Sequence, residues 1–463
     1  MDTTESEYVM VEIPGNQRVN NNNVSLISEW EDCLRGKEGS EHPQHQRQRQ
    51  RQMQKVPPSL LKTKKGRANS DYYKPSVVSL GPYHHNQTRL SQAEKYKLIT
   101  LEEYSLSTGK TVRFLYDKVF EVVPDARRCY IDGSTDAYND EELNRMMLHD
   151  GCFILFMIES TGNNKSHLVF EYLGSVELSN IMCDLFLLEN QIPFVVLQVL
   201  LELKFPADKG EDVLNKFFNF LKYGELVIRG PKVLENRQPL HLLELYRSCF
   251  ISASTSLGRS GKFRRWIEEN EYDEDFYNYV KRNRWFASAT ELKAKWIFLN
   301  ESKKEDMKFI FHRFYGEFKL ARRAVATHTK AIYLNMIAYE MCPHNPNDFR
   351  VSTYLLVMKA LVIRDKDVKE LRHKHILVHG LGRDKEVASM FDEIEVLAVN
   401  FYMYNLLRGG IERLHENKYK TWVAELVSEY FSSPWKTMGL LVATAILLTS
   451  FLQTYFAIHP RNR

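Results

Sequence analysis

The sequence predicts a mainly α protein: a multi-helix globular body with few short strands, followed by one transmembrane helix at 437–458. Two observations carry the body. Apolar residues recur at helical spacing in most segments after Tyr72, as at Val213, Leu214, Phe217, Phe218 and Leu221. Only short stretches, such as PSVVSLGPYHH, read as extended. A third observation carries the final helix. TMGLLVATAILLTSFLQTYFAI, from Thr437 to Ile458, has no charged side chain. At helical rise it would be about 33 Å long, against a bilayer core of about 30 Å. Trp435 and Tyr455 stand where interfacial aromatics stand. A buried core helix is the competing reading, and the missing polar face argues against it.

In chain order, residues 1–70 read as a disordered region. Within it, Val24–Leu34 has short helical spacing, and a Gln/Arg-rich linker runs from Gly36 to Gln54. The body is expected over 71–432, and a short tail over 459–463. Leu90–Leu106 reads as a helix opened by the capping-box pattern S-Q-A-E at Ser91. A helix over Gly109–Val123 is expected to stop at Pro124, and the charged turn before Met147 starts another. Two apolar runs form the expected heart. GCFILFMI, Gly151 to Ile158, is short enough for a strand. DLFLLENQIPFVVLQVLL, Asp184 to Leu201, reads as a helix that Pro193 kinks or splits. Its Asp184, Glu189, Asn190 and Gln191 need partners if buried. Helices follow at Glu211–Tyr223 and Leu240–Phe250, then a polar loop at Ile251–Lys262, a charged and aromatic stretch at Phe263–Arg284 and a compact element at Thr290–Asn300. Leu320–Ala338, Phe349–Asp365, Asp367–His373, Asp384–Leu407 and His415–Tyr430 complete the helical reading.

Charge and cysteine usage narrow the class. The net charge of +4 is too small to indicate nucleic acid, and the basic run Lys62, Lys64, Lys65 and Arg67 lacks the aromatics of single-strand binders. The six cysteines, Cys33, Cys129, Cys152, Cys183, Cys249 and Cys342, contain no C-x-x-C and fit reduced, mostly buried thiols. The opening MDTTESEYVMVEIPG lacks a basic region and an apolar core, so no secretory signal is expected. The resulting expectation is a single-pass protein of the plasma membrane with a cytosolic body. Its partners would be the bilayer, through 437–458, and an unknown protein. The sequons at Asn23, Asn86, Asn164 and Asn300 matter only if the body faces a lumen.

Catalytic signatures fail one by one. Kinase motifs are absent. SLGRSGKF at Ser256–Phe263 lacks the first Gly and the final Ser/Thr of a P-loop, and no G-x-S-x-G occurs. His84-His85 on an extended segment would point to opposite faces. His373, His375 and His379, with His149 and Cys342, would need the fold to gather them. No catalytic, cofactor-binding or metal residue is therefore assigned, and no cofactor is expected. The enzyme alternative rests on Asp150, Asp184 and Glu189, carboxylates beside apolar runs that could do acid–base work. The competing reading is that they cap helices or bond backbone.

Seven blocks, in this order, resemble the plant DUF247 family, also called UPF0481 proteins. They are PSVVSLGPYHH, MMLHDGCFILFMI, DLFLLENQIPF, ATELK, LNMIAYE, DVKELRHKHILVHGLGRDKEVASMFDEI and PWKTMGLLVATAILLTSFLQTYF. The resemblance runs from about Tyr72 onward. One departure is Lys374-His375-Ile376, where the family usually has a small residue such as Gly. The resemblance implies a plant-specific protein with one C-terminal membrane segment and no established biochemical activity. For some grass members it implies a role as pollen determinants of self-incompatibility, beside small secreted proteins. The expected function is thus protein–protein recognition by a membrane-tethered body without chemistry of its own.

Overall fold

The computed structural model describes residues 51–61, 69–162, 175–206, 209–224, 238–251, 287–302, 307–311, 315–343, 345, 347–405, 407, 409 and 434–458. The expected helices at Val24–Leu34 and His415–Tyr430, the basic run 62–67, the stretch 252–286, Asn164 and the tail 459–463 lie outside the described residues.

One long helix, α4 (Asp140–Gly162), positions the rest. Asn139 starts it: its Oδ1 accepts from Glu142 N at 2.9 Å, and Glu142 Oε2 accepts from Asn139 N at 3.1 Å. This reciprocal pair satisfies two otherwise orphaned donors. Around α4 pack α1 (Ser91–Thr108), α2 (Val112–Phe120), α3 (Val123–Arg128), α6 (Phe194–Lys204) and α7 (Lys209–Tyr223). Gly151 makes the α6 contact possible, since a Cβ there would stand 2.5 Å from Leu200 Cδ1. The strand expectation for GCFILFMI is corrected: the run is the middle of α4. Nearly every residue from Gly151 to Ile158 is buried, so the helix has no polar face there and its period does not show.

The second apolar run splits as expected. α5 (Ser175–Asp184) ends at Asp184, and Pro193 is the N-cap of α6. The non-helical stretch Leu185–Ile192 between them is buried at nearly every position, with Leu187 1% exposed. Other expected elements change at their ends. Ser91 forms no capping box, because Glu94 pairs with Lys97 and Leu90 takes the N-cap position. Pro124 opens α3 in its first turn instead of only stopping α2.

The later half carries the few strands. α8 (Leu242–Ile251) and α9 (Ala289–Ala294) precede β1 (Ile297–Glu301), β2 (Lys308–Phe311) and β3 (Gly316–Leu320). These form one sheet in the order β1-β3-β2, with β1 parallel and β2 antiparallel to β3. β4 (Arg323–Val325) pairs in parallel with β5 (Leu377–His379). The helix expected over Leu320–Ala338 therefore starts late, as α10 (Thr329–Met341), because the chain first leaves in β4. α11 (Arg350–Leu361), α12 (Asp365–His373) and α13 (Asp384–Glu393) follow. α13 is shorter than the expected Asp384–Leu407. Lys359 Nζ takes its final carbonyls, at 2.6 Å from Asp392 O and 2.9 Å from Ile394 O, and the chain turns extended at Ile394.

A buried cation ties this half together. Arg247 of α8 donates to Glu340 of α10 at 2.6 Å and also bonds Asp348. Glu340 in turn accepts from Val351 N at 2.8 Å, Ser352 N at 2.9 Å and Ser352 Oγ at 2.6 Å, so it satisfies the start of α11 as well. Every acceptor direction of this carboxylate is used, which is the condition for burying it.

The membrane expectation is corrected. A helix does form at the end, α14 (Pro434–Ile458), and its described side chains are exposed. Among the described residues, however, no helix is long and apolar enough to cross a membrane. Thr444, Thr449, Ser450, Gln453 and Thr454 interrupt the apolar surface of α14. The single-pass plasma-membrane placement and the bilayer as a partner rested on that span and are withdrawn with it.

Candidate functional site

The described body begins at Arg51, inside the segment expected to be linker. Arg51–Leu61 lies as a strap across the body. Met53 N donates to Cys129 O at 2.7 Å, Gln52 Nε2 to Tyr130 O at 2.9 Å, and Val56 N to Glu189 Oε1 at 2.7 Å. Arg51 pairs with Glu244 of α8. Met53, Val56 and Leu60 are buried beneath it. Its three apolar residues fall at helical spacing, but Pro57-Pro58 between them blocks a helix and the segment adjoins a polar low-complexity tract, so the pattern points to no packed element. That is why sequence reasoning missed the strap.

The block PSVVSLG, Pro75 to Gly81, expected to be extended, bends at Ser76 and Val77 and belongs to neither described sheet. Its backbone is satisfied by buried side chains. Asp184 accepts from Ser76 N at 2.9 Å, Val77 N at 2.7 Å and Val78 N at 2.9 Å. Asn190 accepts from Leu80 N at 2.7 Å and donates to Val78 O at 3.0 Å. Asp150 accepts from Gly81 N at 2.7 Å, and Lys97 Nζ reaches Ser79 O at 2.6 Å. Buried N–H and C=O groups need such partners, and here side chains supply what a neighbouring strand would. Gly81 sits at φ +71°, and a Cβ would lie 2.6 Å from Gln191 O and 2.8 Å from Tyr130 Oη. Only glycine combines that backbone with that clearance.

Each candidate carboxylate therefore has a place. Asp150, 1% exposed, pairs with the fully buried Lys97 at 2.6 Å. Burial raises its pKa above the ordinary carboxylate value against the pull of Lys97 and Gly81 N–H. The Lys97 ammonium is raised too: burial lowers it, but Asp150 and Glu94 outweigh that. Asp184 is pushed up to about 6 by burial, with the three backbone donors opposing. Glu189 holds the strap. Among the described contacts no two of these carboxylates share a hydrogen-bond partner. Asn190 and Gln191 meet the demand their burial creates: Gln191 donates to Leu185 O at 2.8 Å and Leu187 O at 2.9 Å, and accepts from Leu243 N at 3.0 Å.

The histidines are not gathered. His84 is buried and bonds Gln87, while His85 stacks edge-on with Tyr138. His149 lies in α4, its pKa lowered chiefly by burial. His373 and His375 are exposed. His379 Nε2 lies 2.7 Å from Asp384 Oδ1, and Cys342 Sγ donates to Ala338 O. Among the described residues no group of three His, Cys, Asp or Glu could hold a metal ion.

Comparison with known proteins agrees with this arrangement of blocks. A family model for DUF247, described as a plant protein of unknown function, matches residues 53–449. The chain belongs to the DUF247 family. The match begins at Met53, the strap residue that enters the core. An Arabidopsis thaliana UPF0481 protein is 26% identical over 407 residues, covering 84% of this chain and 83% of the relative. A second Arabidopsis thaliana protein, called a putative UPF0481 protein, is 21% identical over 475 residues, covering 84% of this chain and 87% of the relative. No solved structure matches.

Proposed function

We propose that this DUF247 chain is a protein-recognition module with no chemistry of its own. The carrying observation is the use made of Asp150, Asp184 and Glu189. An acid–base pair needs a carboxylate free to reach a substrate proton. Here Asp184 is spent on three consecutive backbone N–H groups, Asp150 on Lys97 and Gly81, and Glu189 on the strap. The raised Asp184 pKa is the one feature that favours the enzyme reading, and burial alone accounts for its direction. Large apolar side chains exposed along α1 and α2, among them Leu106, Val112, Phe114 and Phe120, support a recognition role. Reproductive recognition, as the resemblance implies for some grass members, is one setting for such a module.

The test is proximity labelling with the full chain in plant cells, repeated with Glu189→Gln, which keeps an acceptor for Val56 N. The expected result is the same protein partner for both chains. Absence of a protein partner, together with a small molecule converted by the wild type and spared by Glu189→Gln, would establish the enzyme instead.

A further inference from the structure

An open depression of about 490 Å³ lies beside the clamped segment, lined by Asp71, Lys74, Ser76, His84, Gln87 and Arg89 among others. Its side chains are held in place by a short relay of hydrogen bonds. Arg89 Nε donates to Gln87 Oε1 at 3.1 Å, which fixes the orientation of the Gln87 amide. Gln87 Nε2 then faces His84 Nδ1 at 3.0 Å and donates to it. A neutral imidazole that accepts at Nδ1 carries its proton on Nε2. That Nε2–H is buried and makes no hydrogen bond among the described residues; Glu189 Oε2, at 3.8 Å, is beyond reach. His84 itself is only 8% exposed. Burial, with the charges of Arg89, Lys74 and Lys55, holds its pKa down to about 4, so the ring stays neutral at neutral pH. Lys74 and Arg89 are exposed at the rim. Among the described residues, neither makes an ion pair.

The geometry points to a binding site for a phosphorylated side chain of a protein partner, with Arg89 and Lys74 as the phosphate-binding cations. A planar guanidinium held from behind by Gln87 presents its terminal nitrogens as a fork, and the ammonium adds a second positive charge. A lone carboxylate would be satisfied by the fork alone, whereas a phosphate dianion uses both cations. The depression is several times larger than a lone phosphate needs, given about 30 Å³ for each water displaced. It therefore has room for the residues that flank the phosphate. Asp71, on the same rim, repels a second anion and favours a basic residue next to the phosphorylated one. The peptide occupant rests on the recognition reading above.

The experiment uses the full-length chain and fluorescence anisotropy. The probes are a short labelled peptide with one phosphoserine beside an arginine, its unphosphorylated twin, and inorganic phosphate as competitor. The expected result is binding of the phosphopeptide at least about tenfold tighter than its twin, weakening with salt. The double variant Arg89→Gln/Lys74→Gln should lose that preference while melting at the wild-type temperature. Equal affinity for the two peptides, no binding of either, a preference retained by the double variant, or binding of inorganic phosphate alone would each overturn the proposal. A cellular partner captured equally well before and after phosphatase treatment would also overturn this site, and would leave the recognition reading standing.

Discussion

Replacing Lys97 with Met tests how the buried charge pair holds the PSVVSLG segment. Lys97 is 0% exposed, and its Nζ lies 2.6 Å from each of Asp150 Oδ1, Glu94 Oε1 and Ser79 O. Methionine fills a similar volume but removes the cation. Asp150 is left in the core with Gly81 N–H as its remaining described donor. Stranding one member of a buried pair costs about 3–5 kcal/mol, a large share of a total stability of about 5–15 kcal/mol. Adding Asp150→Asn removes the stranded charge and keeps an acceptor for Gly81 N. The double variant should therefore be more stable than Lys97→Met alone, by about 2 kcal/mol. Urea denaturation of the four chains, followed by circular dichroism, gives the full cycle. Lys97→Met costing under about 1 kcal/mol, or single effects that add within about 0.5 kcal/mol, would show that the pair does not carry the segment.

Three further outcomes follow from the same geometry. Met53→Ala should destabilise the chain by about 2–4 kcal/mol, because a buried thioether is removed from under the strap; a midpoint unchanged in urea would mean that the strap does not dock. His375 sits at φ +55°, the left-handed position after α12 where glycine is unstrained, so His375→Gly should raise stability by about 0.5–1 kcal/mol, and a lowered melting temperature would contradict this. Asp184 has a folded pKa of about 6, above its unfolded value of 3.8, so its contribution is fully present below pH 3.8 and lost as pH rises through 6. Relative to Asp184→Asn, the wild type should lose about 2 kcal/mol between pH 4 and pH 7, and a constant difference across that range would refute the assignment.

Much of the helical body is legible in the sequence because its helices are amphipathic. α7 shows its period plainly, and Pro193 marks the break before α6. The misreadings have local causes. GCFILFMI has no polar face to reveal a helix, so length alone pointed to a strand. A capping box does form at Ser288–Glu291, a signal as readable as the pattern at Ser91, where Glu94 instead pairs with Lys97. The departure at His375 could be seen, but not the left-handed backbone that makes a small residue natural there. The demand of Asp184, Asn190 and Gln191 for partners was legible; that the partners are the amides of PSVVSLG was not, since side-chain-to-backbone pairing over about a hundred residues leaves no periodic trace. The depression at Lys74 and Arg89 has the same character, being assembled from a turn and an extended segment.

The strap also sets the order of events as the chain is made. Met53 leaves the ribosome before any of the groups it meets. Cys129 comes next, then Glu189 and Glu244, and Cys342, whose sulfur lies 3.6 Å from Lys55 O, about 290 residues after Met53. At roughly 5–20 residues per second, that separation is about 15–60 s of synthesis. During that interval the apolar side chains of the strap have no finished groove to enter, and the helices beneath it must assemble first. A segment that docks last contributes little to the folding barrier and much to the barrier against unfolding. The first stretch of the family match to be translated is thus the closing latch of the folded chain, and changes within it should alter how long the native state lasts more than how fast it forms.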